Sequence, residues 1–314
     1  MIYLSCQPID SYFLWQVEVQ ITNFRKFGVS GKMHIVVWYP EARAAELENW
    51  KALQDKYPET RFFFYKDEGV NLALYISQLR PHSLKKHFKA IPELKREVIF
   101  YHDSDIIFNY LPDFEQLIED NINWQSDCSS YLDYDYLRSK EIQGNIPEDE
   151  AVQAMADIGK ISIDIIKSYT KKTGGAQCIL KGVDSEFWED VERQCIEIRK
   201  KFWFNSPNSI NKKYFSDENK GFQSWCADMW ALNMALWNRG KVTNVTPLLD
   251  FSWATNDYET FLKKPIYHNA GATPQTPDLF YKGYWIHKSP IGQEITTKIN
   301  SASEQYIKAI QEVK

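Results

Sequence analysis

Apolar positions along the chain fall into short solid blocks separated by amphipathic stretches. Ile2 to Cys6, His34 to Tyr39 and Arg61 to Tyr65 are compact runs rich in Ile, Val and aromatic residues, the signature of strands buried on both faces. Between them, Ser11 to Phe27 carries apolar residues at Phe13, Val17, Ile21 and Phe24, with Gly28 as a stop, and Glu46 to Tyr57 is amphipathic; both spacings predict helices. Leu72 to Phe88 is expected to be helical with an interruption at Pro81. Strand and helix alternating in this way predict an α/β fold, a parallel sheet with helices on both faces.

Glu97 to Phe108 breaks the pattern. An apolar run delivers Asp103 and Asp105 one residue apart and then turns apolar again. Two carboxylates at the exit of a buried strand cost several kcal/mol of desolvation unless a positive group neutralises them, and a divalent cation is one such partner. In parallel α/β sheets the ligand sits beyond the carboxyl ends of the strands. Cys6-Gln7-Pro8, Tyr39-Pro40 and Asp103-Ser104-Asp105 all fall there.

After Asp113 the reading loosens. Asp133 to Glu150 reads as an acidic loop and mixed segment, followed by a helix-like run to Tyr169. Thr173-Gly174-Gly175-Ala176-Gln177 then leads into the apolar run Cys178 to Leu180; paired glycines make turns and also admit a ligand close to backbone. A helix is predicted from about Trp225 to Trp237, with Asp228 in its first turn. That placement suits a dipole partner as well as a functional carboxylate. Trp225 and Trp230 are candidate stacking platforms, for sugars or bases, the other Trp and Met residues there being core candidates. His268 follows a short strand-like run from Pro265, and Lys282-Gly283-Tyr284-Trp285 comes soon after. An imidazole beside carboxylates suits Mn2+ better than Mg2+. Lys282, and Arg80 in Leu79-Arg80-Pro81-His82, are cations able to neutralise a diphosphate; Arg80 is equally suited to an exposed helix end.

Composition narrows the class. With 44% apolar and 25% charged residues the 314-residue chain is a soluble globular protein, and 15% aromatic content means a large aromatic core, stacking platforms, or both. A net charge of −5 argues against affinity built mainly on phosphate neutralisation. No apolar run reaches the roughly 18–20 residues of a membrane span, and MIYLSCQPID enters a strand pattern without a basic leader, so a cytoplasmic location is expected. Cys6, Cys128, Cys178, Cys195 and Cys226 show no CxxC pairing and are expected as reduced core thiols.

In order along the chain, these pieces resemble nucleotide-sugar-dependent glycosyltransferases of the GT-A fold. Within them the chain resembles the plant hydroxyproline O-arabinosyltransferases and peptidyl-serine galactosyltransferases. Asp10-Ser11-Tyr12-Phe13-Leu14-Trp15-Gln16 and Phe24-Arg25-Lys26-Phe27-Gly28 look like that group's helix entry, Asp103-Ser104-Asp105 like its metal motif, and Gly174-Gly175 like its glycine pair. Asp228 and His268 stand where it shows an acidic residue and a late His-x-Gly-like element. The likeness covers most of the chain but is patchy between about 110 and 170.

The resemblance implies a single GT-A domain over 1–314, Rossmann-like with a mostly parallel central sheet. It would have a nucleotide-binding half (1–110), a donor-sugar and acceptor half (111–295) and a C-terminal helix (296–314). It implies a metal-dependent glycosyltransferase, hexosyl or pentosyl, that uses a UDP-sugar and Mn2+ or Mg2+, with retention at the anomeric carbon. Asp103, Asp105 and His268 would hold the metal. Cys6, Gln7, Pro8 and Tyr12 would cup the nucleoside. Arg80, Ser104, Lys282 and Gly283 would lie along the diphosphate, and Gly174, Gly175 and Ala176 against the donor sugar. Asp228 and Gln177 would act at the sugar and the incoming hydroxyl, on a glycan, a peptide or a modified DNA base. Two rival expectations share the fold: a phage-type enzyme acting on hydroxymethylated bases in DNA, and an inactive carbohydrate-binding relative.

Overall fold

The computed structural model describes residues 1–67, 70 and 72–314, and the chain groups into two compact units. One comprises Met1–Glu68, Ile99–Gln116 and Pro247–Lys314, the other Gly69–Val98 and Leu117–Thr246. The grouping therefore follows contacts rather than chain order, and the first unit takes back the end of the chain. The strands are β1 (Ile2–Pro8), β2 (Met33–Tyr39), β3 (Arg61–Lys66), β4 (Val98–His102), β5 (Ile106–Phe108), β6 (Ile122–Asp127), β7 (Gly174–Lys181), β8 (Val242–Val245), β9 (Phe251–Trp253) and β10 (Ile266–His268). The protein is mixed α/β, its main sheet mostly parallel and flanked by helices.

In the first unit the order is β3-β2-β1-β4, all parallel, with Tyr3 opposite Met33, His34 opposite Arg61 and Ile2 opposite Ile99. Leu4, Ile35, Val36, Val37, Ile99 and Phe100 are fully buried, which is why these strands are solidly apolar rather than alternating. The helix Ser11–Lys26 links β1 to β2 and buries Trp15, Val17, Val19, Ile21 and Phe24. A second, three-stranded sheet runs β5-β10-β9, with β10 antiparallel to β5 and parallel to β9. Trp15, Ile107, Tyr267, Phe280, Tyr306 and Ile310 form one cluster that fastens this sheet and the helix Ala302–Gln311 to the helix Ser11–Lys26. Burying each large apolar side chain contributes about 1.5–3 kcal/mol. The terminal helix is shorter than the 296–314 expected from sequence.

In the second unit β6 lies between β7, antiparallel to it, and β8, parallel to it. Helix Ser185–Phe202 packs against helices Leu79–Ala90 and Ala227–Asn238. It starts where Asp184 accepts a hydrogen bond from Phe187 N (2.9 Å).

Two sequence expectations need correction. Pro81 does not interrupt a helix: the helix is Leu79–Ala90, and Pro81 falls in its first turn, where no intrahelical partner for its missing N–H is required. The stretch from Asp133 is not simply a loop, since Tyr134–Gln143 is a helix whose N-cap Asp133 accepts from Asp135 N at 3.1 Å. Its acidic residues masked a helix because Asp and Glu enrich caps and first turns as well as loops.

Candidate metal and sugar sites

The turn between β4 and β5 carries Asp103 and Asp105. Because β5 pairs antiparallel with β10, Ile106 stands opposite His268, and Asn269 N donates to Asp105 O at 2.9 Å. That register brings His268 Nε2 to 3.3 Å from Asp105 Oδ1 and 3.5 Å from Asp103 Oδ2. One ligand atom from each of the three residues lies within 4.8 Å of the others. The imidazole is fixed by Trp253, stacked at a ring distance of 5.7 Å, and by Phe251 at 5.4 Å.

The turn is pinned from the helix Ser11–Lys26. Gln20 Nε2 donates to Asp103 O at 2.8 Å, while Asn23 exchanges two hydrogen bonds with the Phe108 main chain, at 3.0 and 2.8 Å. Sequence reading missed Gln20 and Asn23. A signal was present, however: an amide at both positions on the buried face of an otherwise apolar helix needs main-chain partners.

Lys282 Nζ forms an ion pair with Asp105 Oδ2. Burial alone would raise the Asp105 carboxyl, but the charges of Lys282 and His268 reverse that and hold it below the usual carboxylate range. Burial likewise opposes charge on Lys282, and Asp105 with Tyr12 outweighs it, so the ammonium is held above its ordinary value. Burial raises the Tyr12 phenol. His102, wholly buried beside the turn, is pushed down to about 4 by desolvation and stays neutral.

Two carboxylates and one imidazole converging within 4.8 Å fit a divalent transition ion. Among the described residues His268 Nδ1 is buried without a hydrogen-bond partner, while its Nε2 is the atom turned to the two carboxylates.

The remaining first-unit candidates sit nearby or turn inward. Ser104 is buried in the turn itself, and Gly283 is half-buried in the 3-10 turn Lys282–Trp285. Cys6 is a buried residue of β1, Pro8 ends that strand, and Gln7 directs Nε2 to Val36 O at 3.1 Å.

The second unit holds a separate polar centre. Asp228, in the first turn of the helix Ala227–Asn238, has Arg80 Nη2 at 3.0 Å from Oδ2. Tyr75 OH stands at 2.6 Å from its Oδ1 and at 2.7 Å from Trp225 O. Burial first, and Asp228 second, push the Tyr75 phenol well up. Arg80, expected along a diphosphate, thus has its guanidinium on Asp228, and Tyr75 was not foreseen at all. Nothing in the segment preceding Leu79 distinguished this tyrosine from the chain's seventeen others.

Gly174 and Gly175 are the first residues of β7 rather than a turn before it. A Cβ on Gly174 would lie 2.0 Å from Ser126 O, so the close approach of β7 to β6 requires glycine there. Ala176 and Gln177 are buried, Gln177 N donating to Ser126 Oγ at 3.3 Å. Trp230 is also buried and offers no face to a sugar, which corrects the expectation for it. Trp225 keeps 54% of its surface exposed. All five cysteines are buried core residues, the placement expected for them.

No family model matches the chain, and no curated protein does. Solved structures do. The bifunctional glycosyltransferase WbbM matches at 10% identity over 100% of this chain, TM-score 0.49, with this chain spanning 50% of that one. The galactosyltransferase LgtC, in complex with donor and acceptor sugar analogs, matches at 10% identity over 100% of this chain and 96% of its own, TM-score 0.46. Mouse xyloside xylosyltransferase 1 matches at 12% identity, covering 87% and 98%, TM-score 0.39. The narrower likeness to the plant arabinosyl- and galactosyltransferases rests on sequence motifs alone. Among the described residues no helix is long and apolar enough to cross a membrane.

Proposed function

We propose that the protein is a metal-dependent glycosyltransferase that moves a sugar from a UDP-sugar to a hydroxyl acceptor with retention of anomeric configuration. The observation that carries this reading is the convergence of Asp103, Asp105 and His268 at the carboxyl end of a parallel-sheet strand, with Lys282 alongside. Ligands of α/β proteins bind at that end of the strands.

Asp105 and Asp103 would each give a carboxylate oxygen and His268 its Nε2 to the cation, Mn2+ in preference to Mg2+. When bound, the cation would supply positive charge against the diphosphate that departs as the glycosidic bond breaks. Lys282 would add a second positive charge from a half-buried position, where screening is weaker than in bulk water. The segment from Cys6 to Tyr12, which spans the carboxyl end of β1, is assigned to the nucleoside, with Ser104 and Gly283 along the phosphates. Gly174, Gly175, Ala176 and Gln177 are assigned to the donor sugar. Asp228, oriented by Arg80 and Tyr75, is assigned to sugar or acceptor hydroxyls, which a carboxylate accepts as strong hydrogen bonds.

The test is a thermal-shift panel of nucleotide-sugars with and without Mn2+, followed by assay of UDP-sugar hydrolysis. A UDP-sugar should stabilise the wild type only when Mn2+ is present, and Asp105→Ala should abolish both effects. Equal response to UDP-sugar in wild type and Asp105→Ala would overturn the assignment. Inversion seen by NMR of the product would remove the retaining part.

A further inference from the structure

The second unit contains a cavity of about 300 Å3 that the reading above does not use. Its aromatic walls are Trp203, Phe204 and Trp225, and its polar rim is Glu218, Asn219 and Gln223. A ring with a free face beside planar amide and carboxylate groups is chemically particular. A pyranose presents an apolar C–H face to the ring and a rim of hydroxyls to groups that bond adjacent oxygens in pairs.

The cavity is held in shape. Asn211 exchanges two hydrogen bonds of 2.8 Å with the Phe222 main chain, clamping the loop that carries Glu218 to Gln223. That clamp needs Gly221, because a Cβ there would fall 2.5 Å from Asn211 Cγ. Arg199 donates to Ser224 Oγ at 2.7 Å and to Leu74 O at 3.3 Å, and its guanidinium lies 4.6 Å over the Trp203 ring. The exposed indole of Trp225 leans on Tyr131 at 5.6 Å, and its carbonyl accepts from the Tyr75 hydroxyl at 2.7 Å. An exposed ring that already rests on a neighbouring ring loses less rotational freedom when a ligand stacks on it, an arrangement that suits a preorganised platform.

Two observations choose the ligand class. Arg199 is committed to Leu74, Ser224 and Trp203, while Glu218 brings a carboxylate to the rim, so the cavity disfavours anions and suits a neutral polyol. The same Tyr75 hydroxyl also reaches Asp228 Oδ1 at 2.6 Å, so the platform and the assigned carboxylate share one anchor. We propose that this cavity is a glycan-acceptor subsite that binds a neutral pyranoside on Trp225. The acceptor role rests on the glycosyltransferase reading; the binding of a pyranoside does not.

The test uses the full chain without nucleotide and a panel of methyl gluco-, galacto-, manno- and N-acetylglucosaminides with the matching disaccharides, read by saturation-transfer NMR. At least one glycoside should bind saturably. Trp225→Ala should weaken it by about tenfold or more, Trp225→Phe should retain most of it, and Gln223→Ala should weaken it measurably. Melting temperatures of the variants separate lost binding from lost folding; both changed side chains are exposed. Failure of every glycoside to bind, affinity undiminished in Trp225→Ala, or preferential binding of an aromatic-containing peptide added as competitor would overturn the proposal. If glycosides bind at Trp225 but no UDP-sugar and Mn2+ response is found, the donor reading fails and the pyranoside site stands. If the donor response is present and no glycoside binds, the reverse holds.

Discussion

Asp105→Ala should destabilise the metal-free protein by about 2–4 kcal/mol at pH 7. Breaking a buried ion pair by removing one partner typically costs about 3–5 kcal/mol, because the other charge is left unsolvated. Asp105 is nearly inaccessible, with 5% of its side chain exposed, but Lys282 keeps 27%, so part of its stranded charge is rehydrated and the figure is reduced. The pH dependence follows from the depressed Asp105 carboxyl. A group whose folded value lies below its unfolded one contributes stability that is complete above the unfolded value, roughly 3.9, and is lost as pH falls through the folded one. The gap between wild type and variant should therefore narrow as pH falls below about 4. Urea unfolding followed by tryptophan fluorescence in the presence of a chelator measures it at each pH. A gap under about 1 kcal/mol at pH 7, or one that widens as pH falls below about 4, would refute the reasoning.

Three further outcomes are expected. Gly174→Ala should cost about 3 kcal/mol, because the added methyl meets the Ser126 carbonyl rather than a movable side chain; loss of amide-exchange protection in β6 and β7 checks it. Tyr75→Phe removes a hydroxyl shared by a carboxylate and a carbonyl and should destabilise by about 1.5–3 kcal/mol in urea unfolding; a neutral result would mean that Arg80 alone orients Asp228. His268→Ala should lower affinity for Mn2+ more than for Mg2+ in titration calorimetry, since the nitrogen donor is what favours manganese, and parallel losses would count against His268 as a ligand.

Much of the α/β arrangement was legible because buried parallel strands leave a local trace. Ile2 to Cys6, His34 to Tyr39 and the run into Asp103 must be apolar on both faces, and that requirement is written in consecutive residues. The carboxylate pair was legible for the converse reason: charge at the end of such a run is costly and needs a cause. The Asp133 helix and Pro81 were misread where one residue type serves two local structures. Trp230 was misassigned because helical spacing alone does not say which aromatic faces the core when almost every neighbour is apolar.

The chain by itself determined the alternation of elements, the apolar strands and the presence of acidic groups at a strand exit, since each depends on neighbours in sequence. Tertiary structure decided which distant residues meet those groups. The β5–β10 register sets His268 against Asp105, Lys282 arrives from 177 positions away, and Tyr75 joins Asp228 from 153, with Arg80 beside it. Those pairings depend on strand register and helix packing, whose energies come from buried surface shared between remote segments, and no window of local sequence contains both partners.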